Sequence, residues 1–208
     1  TDYPDSIIDA VSVSTNGLLT SSTSKTGVTT TYTYDALERQ IGVTDPRTGT
    51  TITAYDSRGW VDYVQDRTGN RTSYAYENDT GRKTAEFNPL GKAVRFAYND
   101  RGKITRTWGD TVYPVEYVYD DYGRMAEMHT WRVEAGWTSE TWPAGVEASA
   151  DRTIWHYQDS SGLLVGKEDD AGKTVTYTYG PAGRLATRTW ARTENGNPLI
   201  TTYTYDPA

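Results

Sequence analysis

The chain has 208 residues, a formal net charge of −7, 17 Tyr, 7 Trp and no Cys. That length is enough to bury a core, and the absence of cysteine excludes a disulfide framework, a thiol nucleophile and a thiolate metal site. With 34 Thr against 8 Leu, β-branched and aromatic residues replace strong helix formers, so the composition is all-β.

One phrase recurs along the chain: alternating residues that end in an aromatic anchor. A degenerate copy, Val11-Ser12-Val13, comes first. The anchor then falls at Tyr34, Tyr55, Tyr76, Tyr98, Tyr119, Tyr157, Tyr179 and Tyr205, at spacings of 21, 21, 22, 21, 38, 22 and 26. Two positions before these stand Tyr32, Thr53, Tyr74, Phe96, Tyr117, Trp155, Tyr177 and Tyr203.

After the anchor comes a tetrapeptide with Asp or Asn first and Gly fourth. Examples are Asp56-Ser57-Arg58-Gly59, Asn99-Asp100-Arg101-Gly102, Asp120-Asp121-Tyr122-Gly123 and Asp159-Ser160-Ser161-Gly162, the pattern of a type I turn. Pro181 takes the second place in Gly180-Pro181-Ala182-Gly183, where its fixed φ suits the turn. Asn78-Asp79-Thr80-Gly81 is displaced by one residue, which accounts for the first spacing of 22. Some copies depart from the pattern: Asp35 opens the first, but Glu38 replaces its glycine, and Glu77, Gln158 and Gly180 stand where Asp is expected. Half a repeat later come Asp66-Arg67-Thr68-Gly69, Asn88-Pro89-Leu90-Gly91 and Asp169-Asp170-Ala171-Gly172, with Ser24-Lys25-Thr26-Gly27 as a variant.

Alternation at period two between turns predicts strands. The expected fold is an all-β antiparallel meander of about 16 to 18 short strands, with both aromatics of each phrase on one face. A sheet of that width curls or closes, so it is expected to spiral into part of a shell. A single domain over 1–208 is expected, with repeats at 11–131 and 153–206 interrupted by a Trp-rich insertion at 132–152.

Tyr-x-Tyr-Asp-x-x-Gly-Arg at a period near 21 resembles the YD-repeat family, the repeats of rearrangement-hotspot (Rhs) proteins, of the BC component of Tc toxins and of teneurins. The resemblance runs from Val11 to Asp206 and breaks only between Trp131 and Thr153. It implies a β-sheet strip that spirals into a hollow shell, which in bacterial members encloses a toxic C-terminal segment, and it implies secretion or a cell-surface location. The family's aspartyl self-cleavage site has no counterpart here, so no catalytic residue carries over. The first methionine is Met125 and the chain stops inside a repeat, so a longer parent protein is expected, and the rest of its repeats are the first expected partner.

The residues offer little other chemistry. His129 and His156 lie in alternating segments, no nucleophile or zinc pattern accompanies them, and neither an enzyme nor a cofactor or metal is expected. Turn carboxylates are explained by Asx bonding to the backbone. Paired acids such as Asp120-Asp121 invite calcium, but tips two strands apart sit about 9.6 Å from one another, too far for one ion to bridge. Acids and bases are interspersed, without the basic stripe a nucleic acid needs. No apolar run approaches the roughly 18 residues of a membrane span. Arg82, Lys103, Arg124 and Arg184 follow tip glycines; they form either a screened charge row or an edge for a polyanionic glycan.

The insertion carries Trp137 and Trp142 beside Trp131 and Trp155. Either it folds back and covers a sheet face, or these tryptophans contact a partner or stack on a glycan. Unpaired edge strands near Val11 and near Thr201 to Tyr205 would favour self-association. An enclosed polypeptide cargo completes the expected partners.

Overall fold

A computed structural model describes residues 8–131, 140–142 and 150–206. Trp137 and Pro143 lie outside the described residues. The described residues form seventeen strands, and every registered pair is antiparallel, as the alternation requires.

The chain divides into two compact units, Thr1–Ala93 and Val94–Ala208. The first holds β1 (Ile8–Val13), β2 (Leu19–Ser24), β3 (Thr29–Tyr34), β4 (Gln40–Asp45), β5 (Gly49–Tyr55), β6 (Val61–Gln65), β7 (Arg71–Tyr76) and β8 (Lys83–Phe87). The second holds β9 (Ala93–Tyr98, whose first residue closes the first unit), β10 (Ile104–Gly109), β11 (Val115–Tyr119), β12 (Met125–Thr130), β13 (Asp151–Tyr157), β14 (Leu164–Glu168), β15 (Thr174–Tyr179), β16 (Leu185–Glu194) and β17 (Asn197–Thr202).

The tip after Tyr55 shows how a turn is specified. Gly59 N–H donates to the Asp56 carbonyl at 3.0 Å and Asp56 N–H to the Trp60 carbonyl at 2.8 Å, while Asp56 Oδ1 accepts the N–H groups of Arg58 and Trp60. Gly59 has φ of 90°, and the β5–β6 register shifts between Ala54 and Tyr55. This is a type I turn followed by a left-handed glycine that makes a bulge, which is why the fourth place calls for Gly. Glu38 holds the same place with φ of 63°, a conformation that costs a residue with a Cβ.

Two tips differ from the sequence expectation. The turn after Tyr157 starts at Gln158, not Asp159, because Gly162 N–H bonds the Gln158 carbonyl at 2.7 Å. Gly81 bonds back to Glu77 in the same way at 3.0 Å. One extra residue in each loop accounts for both spacings of 22.

Side-chain alternation follows the register. In β3, Thr29, Thr31 and Thr33 are exposed while Thr30, Tyr32 and Tyr34 are half-buried, so the two tyrosines of the phrase share a face. On the other face hydroxyls pair across strands, Thr23 with Thr29 at 2.9 Å and Thr44 with Thr50 at 2.8 Å. The expected core is much smaller than the chain length suggests. Among the described residues, the buried hydrophobic side chains are Ala85, Ala93 and Trp131. The aromatic anchors are instead half-covered by neighbouring strands and turns.

Candidate functional site

The anchor tyrosines form a seam that alternation alone does not reveal. Tyr34 Oη donates to the Leu19 carbonyl at 2.8 Å, Tyr55 to Gln40 at 3.2 Å and Tyr76 to Val61 at 2.9 Å. In the second unit Tyr119 donates to Ile104 at 2.9 Å, Tyr157 to Met125 at 2.9 Å, Tyr179 to Leu164 at 2.8 Å and Tyr205, just past the end of β17, to Leu185 at 2.8 Å. Each acceptor is the first residue of the strand that precedes the tyrosine's own or, for Tyr205, precedes β17. There the chain has just left a turn and the ladder has ended, so its carbonyl needs another donor. Burial pushes the phenols of Tyr76, Tyr119, Tyr157 and Tyr179 above the usual range. The raised values favour the neutral phenol, the form that donates. Tyr98 ends β9, and Gly102 and Gly183 close their tips with positive φ like Gly123.

Tip side chains extend the seam. Arg39 and Arg124 pair with the carboxylates that open their own turns, Asp35 and Asp120, both at 2.7 Å. The same guanidinium groups lie over the next anchor ring, Arg39 at 4.3 Å from the Tyr55 centroid and Arg124 at 4.2 Å from that of Tyr157. Lys103 over Tyr119 and Arg184 over Tyr205, both at 5.0 Å, repeat the arrangement. Arg82 pairs with Glu77 at 2.8 Å. Neighbouring tips are also joined directly, by Arg58 to Asn78 Oδ1 at 2.7 Å and Arg101 to the Asp121 carbonyl at 2.6 Å. The cations expected to offer a glycan edge are therefore engaged with turn acids, carbonyls and rings. Cation–aromatic contact explains why a base follows the tip glycine.

A second cluster lies where the insertion meets the sheet. Trp142 packs edge-on against Trp108 and Trp131, with centroids 5.7 and 5.3 Å apart, and Arg106 lies 4.7 Å from the Trp142 ring. Trp131 is only 5% exposed, so it is a packing residue with little face left for a sugar. At Trp142 the insertion thus folds back onto the sheet, one of the two arrangements open from sequence. Its strand boundary also moves, since Asp151 and Arg152 belong to β13 and pair with Thr130 and His129.

Beneath the tryptophans runs a row of charges across β10 to β13. Arg106 bonds Glu116 at 2.7 Å, His129 lies 3.1 Å from Glu116 and 2.8 Å from Glu127, and Arg152 reaches Glu127 at 3.2 Å. Hydrogen bonds from His129 and Arg152 hold the Glu127 carboxyl below its usual range. His156 bonds Glu168 at 2.8 Å. These histidines tie strands together, and among the described residues no group of three or more His, Asp or Glu is placed to hold a metal. Trp155 stands apart from the cluster, with Lys167 Nζ 4.9 Å from its ring.

Residues 14–50 and 159–194 match the model of the RHS Repeat family. No curated protein matches the chain. Among solved structures, the chain is similar to one of TcdB2-TccC3-Cdc42, with a TM-score of 0.67 and 16% identity. It is similar to one of TcdB2-TccC3-TEV, with a TM-score of 0.66 and 17% identity. Both alignments cover 94% of this chain and 11% of the other. A Tc holotoxin pore from Photorhabdus luminescens aligns at a TM-score of 0.56 and 15% identity, over 94% of this chain and 12% of that one. The chain thus spans about a ninth of the length of the first two, and at this identity the likeness establishes the fold.

Proposed function

We propose that the chain is a run of YD/RHS repeats, a reading that the family-model matches at 14–50 and 159–194 support, and that it is a non-catalytic structural segment. It would form a stretch of repeat wall that encloses, scaffolds or displays a toxin or other cargo within a larger secreted or cell-surface protein. The observation that carries this reading is the tyrosine seam, in which anchor hydroxyls and tip carboxylates and cations are committed to holding neighbouring turns together. The fold likeness to TcdB2-TccC3 chains supports the same reading.

The test is protection of a cargo in the parent protein. An unfolded reporter polypeptide fused in the cargo position should resist trypsin when the repeats are intact and be cleaved rapidly when Tyr119 and Tyr157 are both replaced by Ala. Equal cleavage with intact repeats and with no repeats overturns the reading. Adhesion through Trp142 and Trp155 is the competing function, and a saturable change in tryptophan fluorescence on titration with neutral glycans would favour it.

A second reading rests on the exposed margins. Val11 and Val13 on β1 are 59% and 60% exposed, and Ile200 on β17 is 59% exposed. Such strands can recruit further strands, from the parent chain or from a second copy. Light scattering over a wide concentration range separates the two: a constant monomer mass excludes self-association, and growing mass supports it.

A further inference from the structure

Some cations of the second unit have an acid beside them, as Arg106 has Glu116, Arg124 has Asp120 and Arg152 has Glu127. Lys167, Lys173 and Arg188 differ, for no ion pair joins any of them to a described carboxylate. These three side chains line one cavity of about 250 Å³ on the face that carries Tyr177. The register places them together, since Lys167 pairs with Val175 and Tyr177 with Arg188.

Arg188 gives the second, independent sign. Its Nε is buried without a hydrogen-bond partner, and its guanidinium is held 3.6 Å from the Trp190 centroid. A buried charged donor without an acceptor is costly. The wall also carries two acids, which leave its three cations one positive charge in excess, and both acids accept hydrogen bonds from other groups. Glu168 is bonded to His156, and Asp169 Oδ1 accepts the N–H groups of Ala171 and Lys173.

We propose that this cavity binds carboxylate side chains of an acidic, extended polypeptide. Charge complementarity selects an anion, and the other walls select a peptide over a sugar. Sugar recognition needs open ring faces and neutral hydrogen-bonding groups, but Arg188 lies over Tyr177, the ring on the cavity wall, 6.0 Å from its centroid, and Lys167 and Arg188 also lie over Trp155 and Trp190. Val175 and Ala191 on the wall have apolar side chains, and the neutral hydroxyls there are those of Thr153 and Tyr177. A carboxylate on a flexible side chain can reach the cations while its apolar stem lies against Val175 and Ala191. This site does not depend on the wall function, because it can be tested without any cargo or parent protein.

The test is titration of the full 208-residue chain with hexaglutamate, followed by tryptophan fluorescence, since Trp155 and Trp190 lie under the cations. Hexaglutamine and hexagalacturonate are the comparison ligands. Hexaglutamate should bind saturably at low salt and weaken at high salt, while hexaglutamine should not bind. Lys167→Gln and Arg188→Gln should each weaken hexaglutamate about tenfold. Lys173→Gln, in an exposed turn, should also weaken it without lowering the melting temperature, and it decides the matter if Arg188→Gln impairs folding. Failure of hexaglutamate to bind, or equal binding by all three variants, overturns the proposal. Tighter binding of hexagalacturonate, lost in the same variants, overturns the choice of a peptide in favour of an acidic glycan.

Discussion

Two kinds of turn alternate along this chain, and they tolerate change very differently. Tips that follow an anchor tyrosine, such as 56–60 and 120–124, vary by a single residue, as at 77–82 and 158–163. The alternate turns range from the tight Asn195-Gly196 hairpin, both residues with positive φ, to the whole insertion between β12 and β13. The seam explains the difference. Tyr157 reaches Met125 across 32 residues at 2.9 Å, and Tyr119 reaches Ile104 across 15 at the same distance. An insertion at the far end of a hairpin leaves the tyrosine end unchanged, whereas one at the tip moves a carbonyl away from its donor.

The largest expected effect tests what holds the insertion in place. Trp131→Ala should destabilise the second unit by about 3–5 kcal/mol, so that it melts first in urea while the first unit is unaffected. Loss of less than about 1 kcal/mol would mean that Trp142 contributes little by packing there. Next comes a direct contrast within the first unit. Two glycines inserted after Ser57 should cost about 1 kcal/mol more than two inserted after Leu90, the difference being the seam bond rather than loop entropy. Equal costs would remove the distinction between the turns.

Single hydroxyl deletions sharpen the same point. Tyr119→Phe and Tyr157→Phe should each cost about 1 kcal/mol by leaving a carbonyl without its donor, and the two should agree even though one loop contains the insertion. Glu38→Gly should gain up to about 1 kcal/mol by relieving the positive φ, offset in part by loss of the Asn16 bond to Glu38 at 2.9 Å.

Alkali should single out the seam, as read in melting temperature, whereas acid should act on both kinds of turn. Folded-state phenol values above the unfolded one mean that the seam's contribution is complete below pH 10 and is lost as pH rises through the folded values. Acid reaches both kinds of turn: hydrogen bonds from Arg39 and Thr80 hold the tip carboxylates Asp35 and Glu77 below their usual range, and the alternate turns behave likewise. Asp45, bonded by Arg47, and Asp66, bonded by Thr68 and Asn70, are each held at about 2. Their contribution is present above the unfolded value near 4 and is lost as pH falls toward 2. Asp66→Asn should reduce the loss on the acid side in part, since Asp45 and the tip carboxylates remain, and leave the alkaline side unchanged.

Much of this was legible in the sequence because each repeat states its own local geometry. Asp56 and Gly59 specify the turn, and Thr31-Tyr32-Thr33-Tyr34 states the strand and which residues share a face. The loop lengths at Glu77 and Gln158 were harder, since Asp159-Ser160-Ser161-Gly162 fits a type I turn and only the backbone bond to Gln158 decides otherwise. Trp131 could not be told from a ligand-facing tryptophan, because its burial depends on Trp142 returning from the insertion.

The sequence by itself determined the strands, the turns and their order, since period-two alternation and turn chemistry act over a few residues. Tertiary structure decided what the side chains do once the strands pair. It placed each anchor hydroxyl on a carbonyl 15 or more residues away, seated the tip cations over the next ring, and gathered Lys167, Lys173 and Arg188 from separate segments. Those outcomes depend on register and on contacts between distant residues, which local propensity does not encode.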